Sequence, residues 1–180
     1  MATWQLDTAH STATFSVRHM MITTVRGSFN IKEGKIEFDP AKPAAASVEA
    51  VLDVASVNTG VADRDNHLRS PDFFDAANYP TITFKSTSVK PTGENTAEIT
   101  GDLTIRGTTR PVVLNAEFLG QGKGIDGKTR AGFTASTKIN REDWGLTWNM
   151  VLEAGGLLVG KEVSIALDVE AVAVEAVTAE

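Results

Sequence analysis

Four places in the chain gather side chains able to do chemistry, and each also has a simpler structural meaning. Residues 122–129, Gly-Lys-Gly-Ile-Asp-Gly-Lys-Thr, match the phosphate-cradling pattern GxxxxGK[ST]. That pattern works only when a helix follows and turns its first amides and its dipole toward the phosphate. Here Arg130-Ala131-Gly132-Phe133-Thr134-Ala135-Ser136 alternates as a strand does, so the glycines read as a hairpin loop. The three histidines, His10, His19 and His67, show neither HxxxH nor HExxH spacing, and there is no cysteine. A metal site would need all three to meet in space, and none is expected. His10-Ser11 lacks the GxSxG turn that exposes a hydrolase nucleophile. Glu142-Asp143 lies beside Trp144 and Trp148, but adjacent carboxylates diverge, whereas a glycosidase needs two facing each other across a cleft. A capped loop with buried tryptophans accounts for them. The densest polar cluster is Asp63-Arg64-Asp65-Asn66-His67-Leu68-Arg69. On a solvated helix face it would be held by i,i+4 pairs such as Asp65 with Arg69. At the mouth of a cavity, its Arg and His side chains would hold a phosphate or another polar head, with Arg18-His19 joining them.

The elements that must carry these residues are mostly strands. Alternating apolar positions recur in 47–54, 82–88, 98–105, 112–118, 131–139 and 163–171, with weaker candidates at 13–19 and 28–38. Turns are expected at Lys32-Glu33-Gly34-Lys35, Pro91-Thr92-Gly93-Glu94, Arg106-Gly107-Thr108-Thr109 and Gly124-Ile125-Asp126-Gly127. One helix is expected over 60–70, capped by Asn58 or Thr59 and stopped by Pro71, with a further short helical turn at 72–75. About eight antiparallel strands must protect their edges, and closing into a barrel does so; a β-sandwich is the competing architecture. The expected fold is therefore all-β: an eight-stranded antiparallel lipocalin-like barrel with one short helix between strands, one domain over 1–174 and a frayed tail over 175–180.

The composition excludes several classes. Seventeen Lys and Arg are scattered among 23 Asp and Glu, for a net charge of -6. Neither a nucleic-acid footprint nor attraction to an anionic membrane is expected. No apolar run is long enough to span a bilayer. Without a basic, apolar leader in this chain a cytoplasmic location is expected, or a periplasmic one if a leader has been removed.

The inner faces carry no mid-strand charge and are small in places: Ala50, Gly101, Ala116, Ala131 and Ala135. Either large neighbours such as Phe84 and Phe133 cover them, or they leave an apolar cavity. A long apolar chain would gain roughly 0.8 kcal/mol per buried CH₂ in such a cavity.

Several segments together resemble the YceI family of lipocalin-like polyisoprenoid-binding proteins. They are Trp4-Gln5-Leu6-Asp7 with His10-Ser11, Phe15-Ser16-Val17-Arg18-His19-Met20, Val25-Arg26-Gly27-Ser28-Phe29, Thr59 to Ser70, Phe73-Phe74-Asp75, and Tyr79-Pro80-Thr81-Ile82-Thr83-Phe84. Gly101 to Gly107, Pro111-Val112, Gly132-Phe133, Asn140 to Gly145 and Val159 to Val163 continue the series in order. The resemblance implies an extended eight-stranded barrel whose elongated apolar pore binds isoprenoid chains, such as polyprenyl phosphates or quinone-like tails, with no catalytic residues and no cofactor to transfer. Alternation and resemblance together nominate Phe15, Val17, Phe29, Ile82, Phe84, Leu103, Ile105, Phe133 and Trp144 as chain contacts. Arg18, His19, Arg64, His67 and Arg69 are nominated for the head group. The alternatives are an isoprenoid-modifying or hydrolytic enzyme using His19 or His67 at the barrel mouth, and a stress-related interaction scaffold with a filled interior. Flat barrel walls would allow a homodimer without requiring one.

Overall fold

The computed structural model describes residues 2–150, 152 and 157–174; the tail expected over 175–180 lies outside the described residues. The strands are β1 (Ala2–Leu6), β2 (Thr12–His19), β3 (Thr23–Phe38), β4 (Ser47–Asn58), β5 (Thr81–Pro91), β6 (Thr96–Ile105), β7 (Thr108–Lys123), β8 (Thr129–Asn140) and β9 (Val159–Ala173). A helix, α1 (Ala62–Arg69), follows β4, and short 3-10 turns occupy Pro43–Ala45 and Arg141–Trp144. Every strand pairing is antiparallel, and β3 pairs with β4 to close the sheet on itself.

The result is an eight-stranded closed barrel in which β1 and β2 share one stave. β1 lies against Lys35–Phe38 of β3 and Ala171–Ala173 of β9. β2 continues in the same direction against Thr23–Phe29 and against Val159–Asp168. β1 is the strand that alternation did not reveal, because five residues offer too short a pattern. All eight strands that were expected occur, most of them longer than their apolar runs.

Other local readings need correction. Lys32-Glu33-Gly34-Lys35 is not a turn: it lies inside β3, next to a register shift against β4 between Ile31 and Glu33. Bulges of this kind bend a strand and let a sheet curl. Gly34 serves packing instead, since a Cβ there would stand 2.7 Å from Leu6 Cδ2 and 3.2 Å from the Glu49 carbonyl oxygen. The helix is capped by neither Asn58 nor Thr59. Its N-cap is Val61, with no side-chain cap, and Thr59 instead gives its amide and its hydroxyl to Asp65 Oδ1. The short helical turn expected at 72–75 is instead a hydrogen-bonded turn over 71–74. Asp65 does not pair with Arg69, which donates to Asn66 Oδ1 and the Ala55 carbonyl.

Two apolar clusters hold the barrel. One, beneath α1, joins Phe29, Val54, Val57, Phe73, Ile82, Leu103, Trp144 and Leu146. The other, at the opposite end, packs Trp4 and Leu6 of β1 against Ile31, Ile36, Phe38, Ala131 and Ala171. The side chains of Trp4 and Leu6 thus fill one end from the wall, and α1 with the 141–148 segment covers the other.

A polarised apolar cavity

A cavity of about 630 Å³ runs along the barrel interior between these ends. Inward positions of every long strand line it, because period-2 alternation sends those side chains to the same side. Eight of the nine nominated chain contacts lie in the lining: Phe15, Val17, Phe29, Ile82, Phe84, Leu103, Ile105 and Phe133. Trp144 does not. Its ring is 3% exposed within the core, and its Nε1 donates to the Leu103 carbonyl at 2.9 Å. The 3-10 turn that carries it packs the ring into the core cluster with Phe29, Ile82 and Leu103 rather than along the cavity.

The small inner residues divide between the two explanations. Gly101 is covered: a Cβ there would meet Phe84 Cε2 and the Lys85 carbonyl oxygen at 2.7 Å each. Ala131 is buried in the cluster around Trp4. Ala116 and Ala135 face each other across β7 and β8 and do line the cavity. Aromatic rings mark both ends. Phe38, Phe118 and Phe133 stack pairwise with centroids 5.0–5.4 Å apart near β1. Phe29 meets Phe15 at 5.4 Å and Phe74 edge-on at 5.2 Å near α1. These separations suit tilted and edge-to-face ring pairs.

The polar residues nominated for a head group fare unequally. Arg18, His19, Arg64 and His67 all border the helix end of the cavity, whereas Arg69 does not. Arg69 is spent on Ala55 and Asn66 outside the rim. The Arg18 guanidinium folds back onto the β2–β3 turn, donating to Thr24 Oγ1 and to the carbonyls of Met21 and Ile22. His67 Nε2 meets Asp72 Oδ2 at 2.9 Å, and its ring packs edge-on against Phe73 and Trp148. Arg64 donates from Nε to Thr59 Oγ1 at 2.7 Å and from Nη2 to the Thr59 carbonyl at 2.8 Å. Arg64, His67 and Leu68 reach the cavity from one face of α1, as their i,i+3 and i,i+4 spacing dictates.

One lining residue escaped the sequence reading. Arg141 is 4% exposed and borders the cavity. Its guanidinium donates to four carbonyls: Gly160 at 2.8 Å, Leu146 at 2.6 Å, Trp148 at 3.0 Å and Val159 at 3.3 Å. It also lies 6.0 Å from the centroid of the Phe73 ring. Burial pushes its guanidinium below the usual range, weakly opposed by Glu142. The opposite end of the lining carries Glu94 and Glu117.

A separate polar cluster lies outside the barrel, where the chain jogs between β1 and β2. Asp7 Oδ2, His10 Nδ1 and Glu170 Oε2 come close enough to suggest a cation site. The Arg130 guanidinium occupies that role, at 2.9 Å from Asp7 and 3.2 Å from Glu170, with Asp126 on its other nitrogen at 2.9 Å. The His10 hydrogen bond, helped by Arg130, pulls the Asp7 carboxyl down to about 2, and Asp7 in turn raises the His10 imidazole. This is an ion-pair clamp joining β1, β8 and β9.

Comparison with known proteins places this geometry. A family model described as the YceI-like domain matches residues 4–171. A UPF0312 protein of Ectopseudomonas mendocina is 46% identical over 138 residues, covering 77% of this chain and 72% of that one. The crystal structure of Burkholderia cenocepacia BcnA superposes with a TM-score of 0.80 at 27% identity, over 92% of this chain and 98% of the other. A polyisoprenoid binding domain from Saccharophagus degradans, implicated in plant cell wall breakdown, shares the fold at 20% identity. Its TM-score is 0.69, over 95% and 98% of the two chains.

Proposed function

Since this chain belongs to the YceI-like family, we propose that its barrel takes up and carries or sequesters a long apolar amphiphile, most of all a polyisoprenoid with a polar head. The observation that carries this reading is the continuous apolar cavity of about 630 Å³ inside a closed barrel. A filled interior, as a pure scaffold would have, leaves no such space. Each buried CH₂ contributes roughly 0.8 kcal/mol, so a chain of several isoprene units outweighs the ordering and desolvation that binding costs. The name of the Saccharophagus degradans neighbour points to the same class of ligand. The activity is binding rather than turnover. What supports binding over turnover is the apolar lining; the His67–Asp72 pair is one that a catalytic base also makes, so the His67→Ala variant separates the two readings.

Native mass spectrometry of gently purified protein, followed by organic extraction of whatever it holds, tests the reading. A stoichiometric prenyl lipid, or tight uptake of added farnesol and longer prenols, is the expected result. Protein that arrives empty and ignores added prenyl chains would sink it. Hydrolysis of an added polyprenyl phosphate that is abolished by His67→Ala would replace it with the enzyme reading.

A further inference from the structure

The two ends of the cavity differ in charge. At the helix end stand two guanidinium groups, Arg64 and Arg141, neither of which has a carboxylate within ion-pair distance among the described residues. The acids nearby are otherwise engaged or exposed. Asp65 accepts from Thr59, Asp72 pairs with His67, Glu142 pairs with Lys161, and Asp63, which also borders the cavity, is exposed to water as Glu94 and Glu117 are. The far end is bordered by Glu94 and Glu117.

A buried charge is normally paired, because desolvation is costly and an opposite charge offsets it. Arg141 is 4% exposed, has no carboxylate in ion-pair contact among the described residues, and is hydrogen-bonded to neutral carbonyls. They accept four of its five N–H donors and hold the group rigidly, but they leave its charge uncancelled. Arg64 is held just as firmly by Thr59, whose hydroxyl also donates to Asp65. It keeps three N–H donors unspent among the described contacts. A low-dielectric cavity strengthens the field of both cations.

Resting on the carrier reading above, we propose that the cavity orients its ligand. It selects amphiphiles with an oxyanion head, places that head at the helix end against Arg64 and Arg141, and runs the chain toward Phe38, Phe118 and Phe133. Arg64 supplies the contacting donors, and Arg141 supplies the fixed charge behind them. The far end offers the head group no cation, since its charged lining residues, Glu94 and Glu117, are exposed acids. A phosphate and a carboxylate share this chemistry, and probes of each kind separate them.

The test compares farnesyl phosphate, farnesoic acid and farnesol on the whole protein. Farnesyl phosphate should bind at least tenfold more tightly than farnesol, with farnesoic acid showing whether one negative charge suffices. The phosphate-to-alcohol ratio should fall several-fold in Arg64→Gln. It should persist in Lys138→Gln, which alters an exposed pair with Glu162. Arg141 needs no substitution: its Nε–H resonance should shift on binding farnesyl phosphate and not on binding farnesol. The chain has no cysteine, so single nitroxide labels report the orientation cleanly. A label at Asp63→Cys should broaden the phosphorus signal of bound farnesyl phosphate, and one at Gly93→Cys should not. Equal affinity for all three probes, or broadening only by the Gly93 label, would overturn the orientation while leaving the carrier reading standing. Failure of every probe to bind would overturn both.

Discussion

The Phe84 ring fills the space that a side chain on Gly101 would need, from the neighbouring strand and on the same inner face. The backbone carbonyl of Lys85 closes the site from a second direction at 2.7 Å. Rotating the ring cannot therefore relieve an added methyl. Gly101→Ala should destabilise the protein by about 1–3 kcal/mol through overpacking. A urea midpoint lowered at unchanged slope would confirm this; an unchanged midpoint would mean that β5 and β6 separate freely.

Ala135 and Ala116 pair where the cavity crosses β7 and β8. Ala135→Trp should fill that section and lower uptake of prenyl chains by at least about tenfold, equivalent to roughly 1.4 kcal/mol. Circular dichroism should still report a folded barrel. Undiminished uptake by the folded variant would show that the chain does not cross this section.

The Asp7–His10–Arg130 clamp gives stability a defined pH window. The Asp7 carboxyl is pulled from 3.8 down to about 2, so its contribution is present above 3.8 and is lost as pH falls toward 2. The His10 imidazole is raised above 6.5, so its contribution is full below 6.5 and is lost as pH climbs through the raised value. Thermal melts should therefore reach their plateau between about pH 4 and 6.5 and decline on both sides. His10→Gln should abolish the alkaline decline. An identical alkaline limb in wild type and variant would assign it to another group.

Met20 and Met21 form the tight turn between β2 and β3 with φ of 53° and 61°, closed by the Ile22 amide on the His19 carbonyl. Left-handed backbone costs an L-residue with a side chain about 1–2 kcal/mol, and such hairpin turns favour Asn-Gly. The double change Met20→Asn with Met21→Gly should stabilise the barrel by about 1 kcal/mol, or roughly 2–4 °C in Tm. A lower Tm would show that the methionine side chains make contacts worth more than the backbone relief.

Strand identity and inner-face membership were legible because alternation is a local property of the sequence. That is why alternation, together with the family resemblance, puts Phe15, Val17, Ile82, Phe84, Leu103 and Phe133 on inner faces that the structure turns toward the cavity. β1 was not legible, since its role depends on partners thirty or more residues away in β3 and more than 160 away in β9. Arg141 was hidden for a related reason. Within Asn140-Arg141-Glu142-Asp143 it looks like one more solvated charge, and its burial comes from carbonyls at 146, 148, 159 and 160. Trp144 and Arg69 were misplaced because hydrophobicity and charge do not reveal where a turn or a helix face will aim.

The shared stave of β1 and β2 bears on how the protein is made. Its partner on one side, β9, is separated from it by most of the chain: Thr12 faces Asp168, and Trp4 faces Ala173. During synthesis the other strands emerge before β9, the strand that closes the seam against β1 and β2. The interior becomes a cavity only when Val159–Ala173 is available, and such distant pairing is slow. Until that moment the nascent sheet has open edges and a greasy face, the form most exposed to aggregation. An apolar chain present at that stage would meet an open trough rather than a narrow mouth.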